Sequence, residues 1–321
     1  MKSKKELVIL SAVIAALAAY LFFHKTDRTH YALPVIAPLA DSDITSIKIT
    51  KGTQPIELIS KDDQWRISPE NYLADAGKIK SMIDAIKNLT VTAMVSETES
   101  YARYDLDDEN RVQVAAKAGD KILRAFDVGK AAPSNRHTFI KLPDDGRVYH
   151  ARDNFRARFD LSKEDLRDKT VLKVDRSQIH QMEITDRDGK PVFAMKQVPP
   201  KVEVAAESTN GKDTKEKKTP AETPTPELVW QDKDGNPVKD SDVTTLFNNV
   251  ADLKCQSYIT GKTKSDFKNP VYTLTLTGAA THTLSIFEKL TADDDTYPAI
   301  SSENDYPFLL PGYKFDSMVK K

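Results

Sequence analysis

Ala74–Leu89, ADAGKIKSMIDAIKNL, and Asp240–Leu253, DSDVTTLFNNVADL, are the two stretches that decide the fold. The first places Ile79, Met82, Ile83, Ile86 and Leu89 at offsets 0, 3, 4, 7 and 10, and the second places Val243, Leu246, Phe247, Val250 and Leu253 at the same offsets. Apolar residues at that spacing form one stripe along an α-helix, the mark of a helix buried on a single side. Asp75 before the first helix, and Asp240 or Ser241 at the second, have the short polar side chains that cap a helix start. Two identical stripes in one chain predict an internal repeat.

The surroundings repeat as well. Ahead of the first helix stand the strand-like runs Ile44–Ile49 and Ile56–Ile59, then Trp65, 14 residues before Ile79. Ahead of the second stand Ile179–Ile184, Pro191–Met195 and Glu227–Trp230, with Trp230 13 residues before Val243. After each helix a hairpin is expected, Val112–Ala116 with Ile122–Val128 through Gly119-Asp120, and Val271–Thr277 with Thr281–Phe287 through Gly278. A further strand pair follows in each: Thr138–Leu142 with Arg147–Ala151, and Tyr297–Ser301 with Tyr306–Leu310. Each unit closes on an aromatic-led segment, Phe155–Asp165 or Tyr313–Val319. The fold class expected is α+β, with each of two tandem repeats a mainly antiparallel sheet packed with one amphipathic helix. Trp65 and Trp230, at equivalent positions, are expected to plug their own cores against the stripe helices.

Outward from the repeats, Leu7–Phe23 reads LVILSAVIAALAAYLFF, long enough for a transmembrane helix, with Lys2, Lys4 and Lys5 before it. The positive-inside rule puts the amino terminus in the cytoplasm and the body across the membrane. The rival reading is a signal peptide cleaved near Ala16-Leu17-Ala18, which the apolar continuation to Phe23 disfavours. The expected layout is therefore a transmembrane anchor over 1–25, a tether over 26–42, one repeat over 43–171 and a second over 172–321. Residues 198–227, rich in Pro, Thr, Lys and Glu with almost no large apolar side chain, are expected to be a disordered insertion in the second repeat.

Composition narrows the function. Lys plus Arg number 47 and Asp plus Glu 48 in 321 residues, a balance without the basic surplus of a nucleic-acid binder. A single cysteine, Cys255, excludes an intramolecular disulfide and any multi-cysteine zinc site, and reads as a small buried apolar residue. The six histidines form no metal-binding sequence pair; only His137 and His150, on either side of a turn at Asp144-Asp145-Gly146, are placed to approach each other. Gly261-Lys262-Thr263 mimics the end of a phosphate loop, but Gln256 stands where its leading glycine is required. Asp186-Arg-Asp-Gly189 and Asp232-Lys-Asp-Gly235 open like calcium loops yet lack the closing carboxylate, so both read as hairpin turns, and Asp293–Asp295 reads as a solvated turn. No nucleophile motif occurs, so no catalytic residue, metal or cofactor is assigned.

Leu166-Arg-Asp-Lys-Thr-Val-Leu-Lys-Val-Asp-Arg-Ser-Gln-Ile179, Asp63-Gln-Trp-Arg-Ile67, Leu73-Ala-Asp75 and Val128-Gly-Lys130 resemble a bacterial family catalogued as domain of unknown function 4340, from about Ile44 onward. Where that family shows Tyr-Gly-Leu, this chain has Tyr101-Ala-Arg-Tyr-Asp-Leu106, so that corner is expected to differ. The resemblance implies a single-pass inner-membrane protein with a periplasmic body, associated with ABC-type and gliding-motility transport systems. The reading is a non-catalytic accessory or scaffold whose partners are the membrane, through Leu7–Phe23, and ABC-type transporter subunits. A periplasmic binding module for a lipid or glycan, and an unrecognised envelope hydrolase, are the alternatives.

Overall fold

The computed structural model describes residues 2–23, 31–40, 43–199 and 228–319. Its residues divide into two compact units, Met1–Leu166 and Arg167–Lys321. The division falls before β10 (Thr170–Lys173), which pairs with β14 (Asp252–Lys254), rather than after Val171 where the sequence placed it. That pairing is what draws residues 167–171 into the second unit.

In the first unit α1 (Lys2–Phe23) precedes β1 (Ser46–Lys51), β2 (Gln54–Lys61), β3 (Gln64–Ser68), β4 (Tyr72–Leu73) and α2 (Ala76–Lys87). Then come β5 (Val91–Ser96), β6 (Val112–Ala118), β7 (Lys121–Ala131), β8 (His137–Lys141), β9 (Val148–Arg152) and the short α3 (Arg156–Phe159) and α4 (Lys163–Leu166). The strands form one antiparallel sheet ordered β4-β3-β2-β1-β6-β7-β8-β9-β5. Period-two alternation turns Ile47 and Ile49 of β1, and Val112, Val114 and Ala116 of β6, into the core that α2 covers with Ile79, Met82, Ile83 and Ile86. Leu89, just past the helix, completes the stripe. Each such side chain, taken fully out of water, contributes roughly 1.5–3 kcal/mol. Asp75 caps α2, its Oδ1 accepting from the amides of Gly77 (2.9 Å) and Lys78 (3.0 Å).

The second unit continues with β11 (Ile179–Asp186), β12 (Pro191–Val198), β13 (Val229–Asp232), α5 (Asp240–Val250), β15 (Ser257–Tyr258), β16 (Tyr272–Gly278), β17 (Thr281–Ile286), β18 (Thr296–Ser301), β19 (Phe308–Pro311) and α6 (Gly312–Val319). Its main sheet is ordered β13-β12-β11-β16-β17-β18-β19-β15. Written strand for strand this is the order of the first sheet, with β11 in the place of β1, β16 of β6 and β15 of β5; only β4 lacks a full counterpart, an isolated bridge of Gln231 to Pro237 standing there. Val243, Leu246, Phe247, Val250 and Leu253 are all buried in the second core.

Two readings need correction. The second helix is not capped by Asp240 or Ser241: Lys239 is the N-cap without a side-chain bond, and Asp240 and Asp242 lie in the first turn, where they complement the helix dipole. The expected tether is docked over its described residues 31–40, for Leu33, Ile36 and Leu39 pack against the first core and the amide of Met94 donates to the Tyr31 hydroxyl (3.1 Å). Among the described residues no helix is long and apolar enough to cross a membrane. The side chains of Leu7 and of Leu21–Phe23, part of the apolar run, lie outside the described residues, as do 200–227 of the predicted insertion. The strands that insertion connects are paired, Val198 opposite Val229.

Candidate functional site

The face of the first sheet turned away from α2 carries a groove of about 600 Å³. Strand register builds it from two rows. Lys48 of β1 stands opposite Ala115 of β6, which stands opposite Ala125 of β7. One step along, Thr50 faces Gln113, Gln113 faces Asp127, and Asp127 faces Lys141 of β8. The two alanines stop at Cβ in the middle of the sheet, and the longer side chains around them leave the depression. Asp127 (14 % exposed) accepts from Arg111 Nη1 (3.1 Å) and lies 3.6 Å from Lys141 Nζ, both at Oδ2. Arg111 also reaches the exposed Asp108 at 2.6 Å, and Lys141 Nζ lies 4.9 Å from the centre of the Tyr101 ring.

The rim is held by the β8–β9 turn. Asp145 accepts two parallel bonds from Arg147, Nε and Nη2, both at 2.9 Å, and a third from the Tyr149 hydroxyl at 2.7 Å. Hydrogen bonding from Arg147 holds the Asp145 carboxyl well below the usual carboxylate range, and burial, with Asp145 beside it, pushes Tyr149 up to about 12. Tyr101, raised by burial and by Glu99, keeps its proton and donates it to the Gly146 carbonyl (3.0 Å).

At the corresponding register positions of the second sheet the chemistry differs. Glu183 faces Thr275 and Thr275 faces Thr283; Thr185 faces Thr273 and Thr273 faces Ser285. The inward residues of the first strand are alike in both sheets, Ile47 and Ile49 against Met182 and Ile184, whereas these outward positions differ.

His137 and His150 do meet, with ring centroids 5.3 Å apart, but the rings stack at 23° with Phe139 alongside His150. Stacked faces do not aim two nitrogens at one ion. Burial, then His137, lowers the His150 pKa. Among the described residues no group of three or more His, Cys, Asp or Glu is arranged to hold a metal ion. The two Asp-Gly stretches are tight turns: Asp186 Oδ1 accepts from the amides of Asp188 and Lys190, and Asp232 Oδ1 from those of Asp234 and Asn236. Thr263 of the phosphate-loop mimic forms a capping box with Asp266, Asp294 of the acidic run accepts from the Thr291 amide, and Cys255 is buried. Trp230 is buried with its ring 5.6 Å from Phe247 of α5, whereas Trp65 is half-buried against the first core.

The motif segments have structural work. Leu166 is fully buried in the first core and its carbonyl accepts from the Asp75 amide (2.9 Å). Arg167 is buried in the second unit with its guanidinium 3.6 Å from the Tyr258 ring centre and 5.2 Å from that of Tyr306. Tyr258 donates to the Asp168 carbonyl (2.7 Å), and burial raises its pKa. The family described as domain of unknown function, DUF4340, matches residues 65–274, about two-thirds of the chain. The chain belongs to the DUF4340 family. No curated protein and no solved structure matches it. In this DUF4340 member the matched stretch runs from Trp65 through the Leu166–Ile179 motif to β16, and so takes in all four groove strands except β1. Sequence reading did not single out the groove, because its rows exist only once register is known; the signal available was the outward half of each alternating strand.

Proposed function

We propose that this DUF4340 protein is a non-catalytic accessory or scaffold of an ABC-type transport assembly, anchored in the bacterial inner membrane through Leu7–Phe23 with both units in the periplasm. The observation that carries the reading is the shared sheet order, with a stripe helix covering one face of the sheet in each unit. A duplicated platform with diverged outer faces suits a protein that holds other proteins in place. The anchor is supported by the seventeen-residue apolar run and by α1, on which Val8, Ile9, Leu10, Val13, Ile14 and Leu17 all stand exposed. Crosslinking on intact membranes, followed by purification, tests this: transporter subunits in the crosslinked product are expected, and recovery of this chain only with itself overturns the scaffold. A carboxy-terminal reporter active only in the cytoplasm tests the topology independently.

A further inference from the structure

We propose that the groove on the first sheet is a binding site for an oxyanion, the phosphate or carboxylate of a small molecule or of a lipid headgroup. The inference needs neither the membrane anchor nor the scaffold role.

Three cations, Lys48, Arg111 and Lys141, line the groove together with Asp127, Asp144 and Asp145, and of these carboxylates Asp127 is the one bonded to the cations. Arg111 and Lys141 are themselves 24 % and 21 % exposed at the side chain, so their charges are partly desolvated. Both meet Asp127 through Oδ2, which leaves further N–H groups on each to donate elsewhere. The remaining acids do not cancel this. Asp145 is engaged by Arg147, Asp144 is exposed at the turn, and Asp108, 89 % exposed, meets Arg111 from the solvent side where water screens the pair. An oxyanion resting on Ala115 and Ala125 would accept the spare donors, and charge-assisted bonds are the strong ones.

The second unit supplies the control. There Glu183 replaces Lys48, hydroxyl side chains occupy the alanine positions, and Ser285 replaces Asp127. A sheet face that had only to stay wetted is served by those threonines; the alanine floor with cations around it is peculiar to the first unit.

The test uses the full chain in maltoside micelles. Glycerol 3-phosphate and glucuronate are titrated in solution, and separately the micelles are doped with phosphatidylglycerol or with phosphatidylcholine. Saturable binding that weakens with salt is expected. Lys48→Gln and Lys141→Gln should each weaken it about tenfold, Ala115→Leu should weaken it by filling the floor, and Glu183→Gln should leave it unchanged. A response to the soluble probes identifies a free ligand, and one confined to phosphatidylglycerol micelles identifies a headgroup. No saturable binding in any arm, or binding that survives the Lys48→Gln/Lys141→Gln double variant, overturns the proposal. Circular dichroism on each variant separates lost binding from lost folding.

Discussion

The guanidinium of Arg124 on β7 donates to the carbonyl of Ala37, fastening the segment ahead of the first sheet to the unit's interior. The same side chain donates to the carbonyls of Ile86 and Lys87, the last turn of α2. Only 8 % exposed, Arg124 therefore satisfies the helix end and the docked segment with one buried charge. Burial lowers its pKa, yet arginine stays charged at every accessible pH. The position facing Leu276 in the second sheet holds His282, paired with Glu303 at 2.7 Å, so the clasp belongs to the first unit.

Replacing Arg124 by Gln should destabilise the first unit by about 2–4 kcal/mol, since buried carbonyls lose charge-assisted donors. The docked segment should loosen with it. Urea denaturation measures the first effect, and faster chymotryptic cleavage after Tyr31 and Leu39 the second; unchanged cleavage would show that the apolar contacts alone hold the segment.

Gly129, in the Val128-Gly-Lys130 motif, is required by space. A Cβ there would collide with the Tyr104 carbonyl and stand 2.9 Å from Leu106 Cγ and 3.2 Å from the Phe139 carbonyl. Gly129→Ala should cost about 1–3 kcal/mol or more through overpacking. Gly119→Ala, at φ +57° with nothing near, should cost roughly 1–2 kcal/mol of backbone strain alone. The contrast in thermal midpoints checks which cause operates.

Much of this architecture was legible in the sequence. The stripe of Ile79 to Leu89 and its counterpart from Val243 are set by local periodicity, and the Asp-Gly turns by local backbone chemistry, so both could be read without tertiary knowledge. β5 could not, because bulges between Val91 and Ala93 and between Met94 and Ser96 break its alternation. The two-residue β4 and β15 are too short to show any period. Leu33, Ile36 and Leu39 did carry a signal, the three-residue spacing of an extended proline-rich chain with one apolar side, which the prolines at 34 and 38 disguised as a linker. Arg124 and the groove depend on residues tens of positions apart, and nothing local announces them.

Trp65 and Trp230 occupy matching strands but should differ in weight. Trp230→Ala empties a buried site against Phe247 and should cost about 3–5 kcal/mol. Trp65→Ala removes a half-buried ring and should cost less than half as much. A Trp230→Ala/Phe247→Leu double-mutant cycle should return about 0.5–1.5 kcal/mol of coupling. Equal losses at the two tryptophans would contradict the difference in burial.

Asp145 should make part of the first unit's stability acid-sensitive. Its folded pKa is depressed, chiefly by hydrogen bonding from Arg147, so its contribution is complete above the unfolded carboxylate pKa of about 4 and is lost as pH falls toward the folded value. Asp145→Asn should therefore be less stable than the parent at pH 7 by roughly 1–3 kcal/mol. The gap should persist to about pH 5 and narrow steadily below pH 4. Tyr149→Phe removes one donor to the same carboxylate and should cost about 1 kcal/mol. Because the Tyr149 pKa is raised to about 12, that hydroxyl stays protonated, and the loss in the variant should be constant from pH 5 to pH 9. Urea midpoints of the three proteins across pH 2–9 give the comparison; parallel curves for parent and Asp145→Asn below pH 4 would mean the turn opens before its carboxylate titrates.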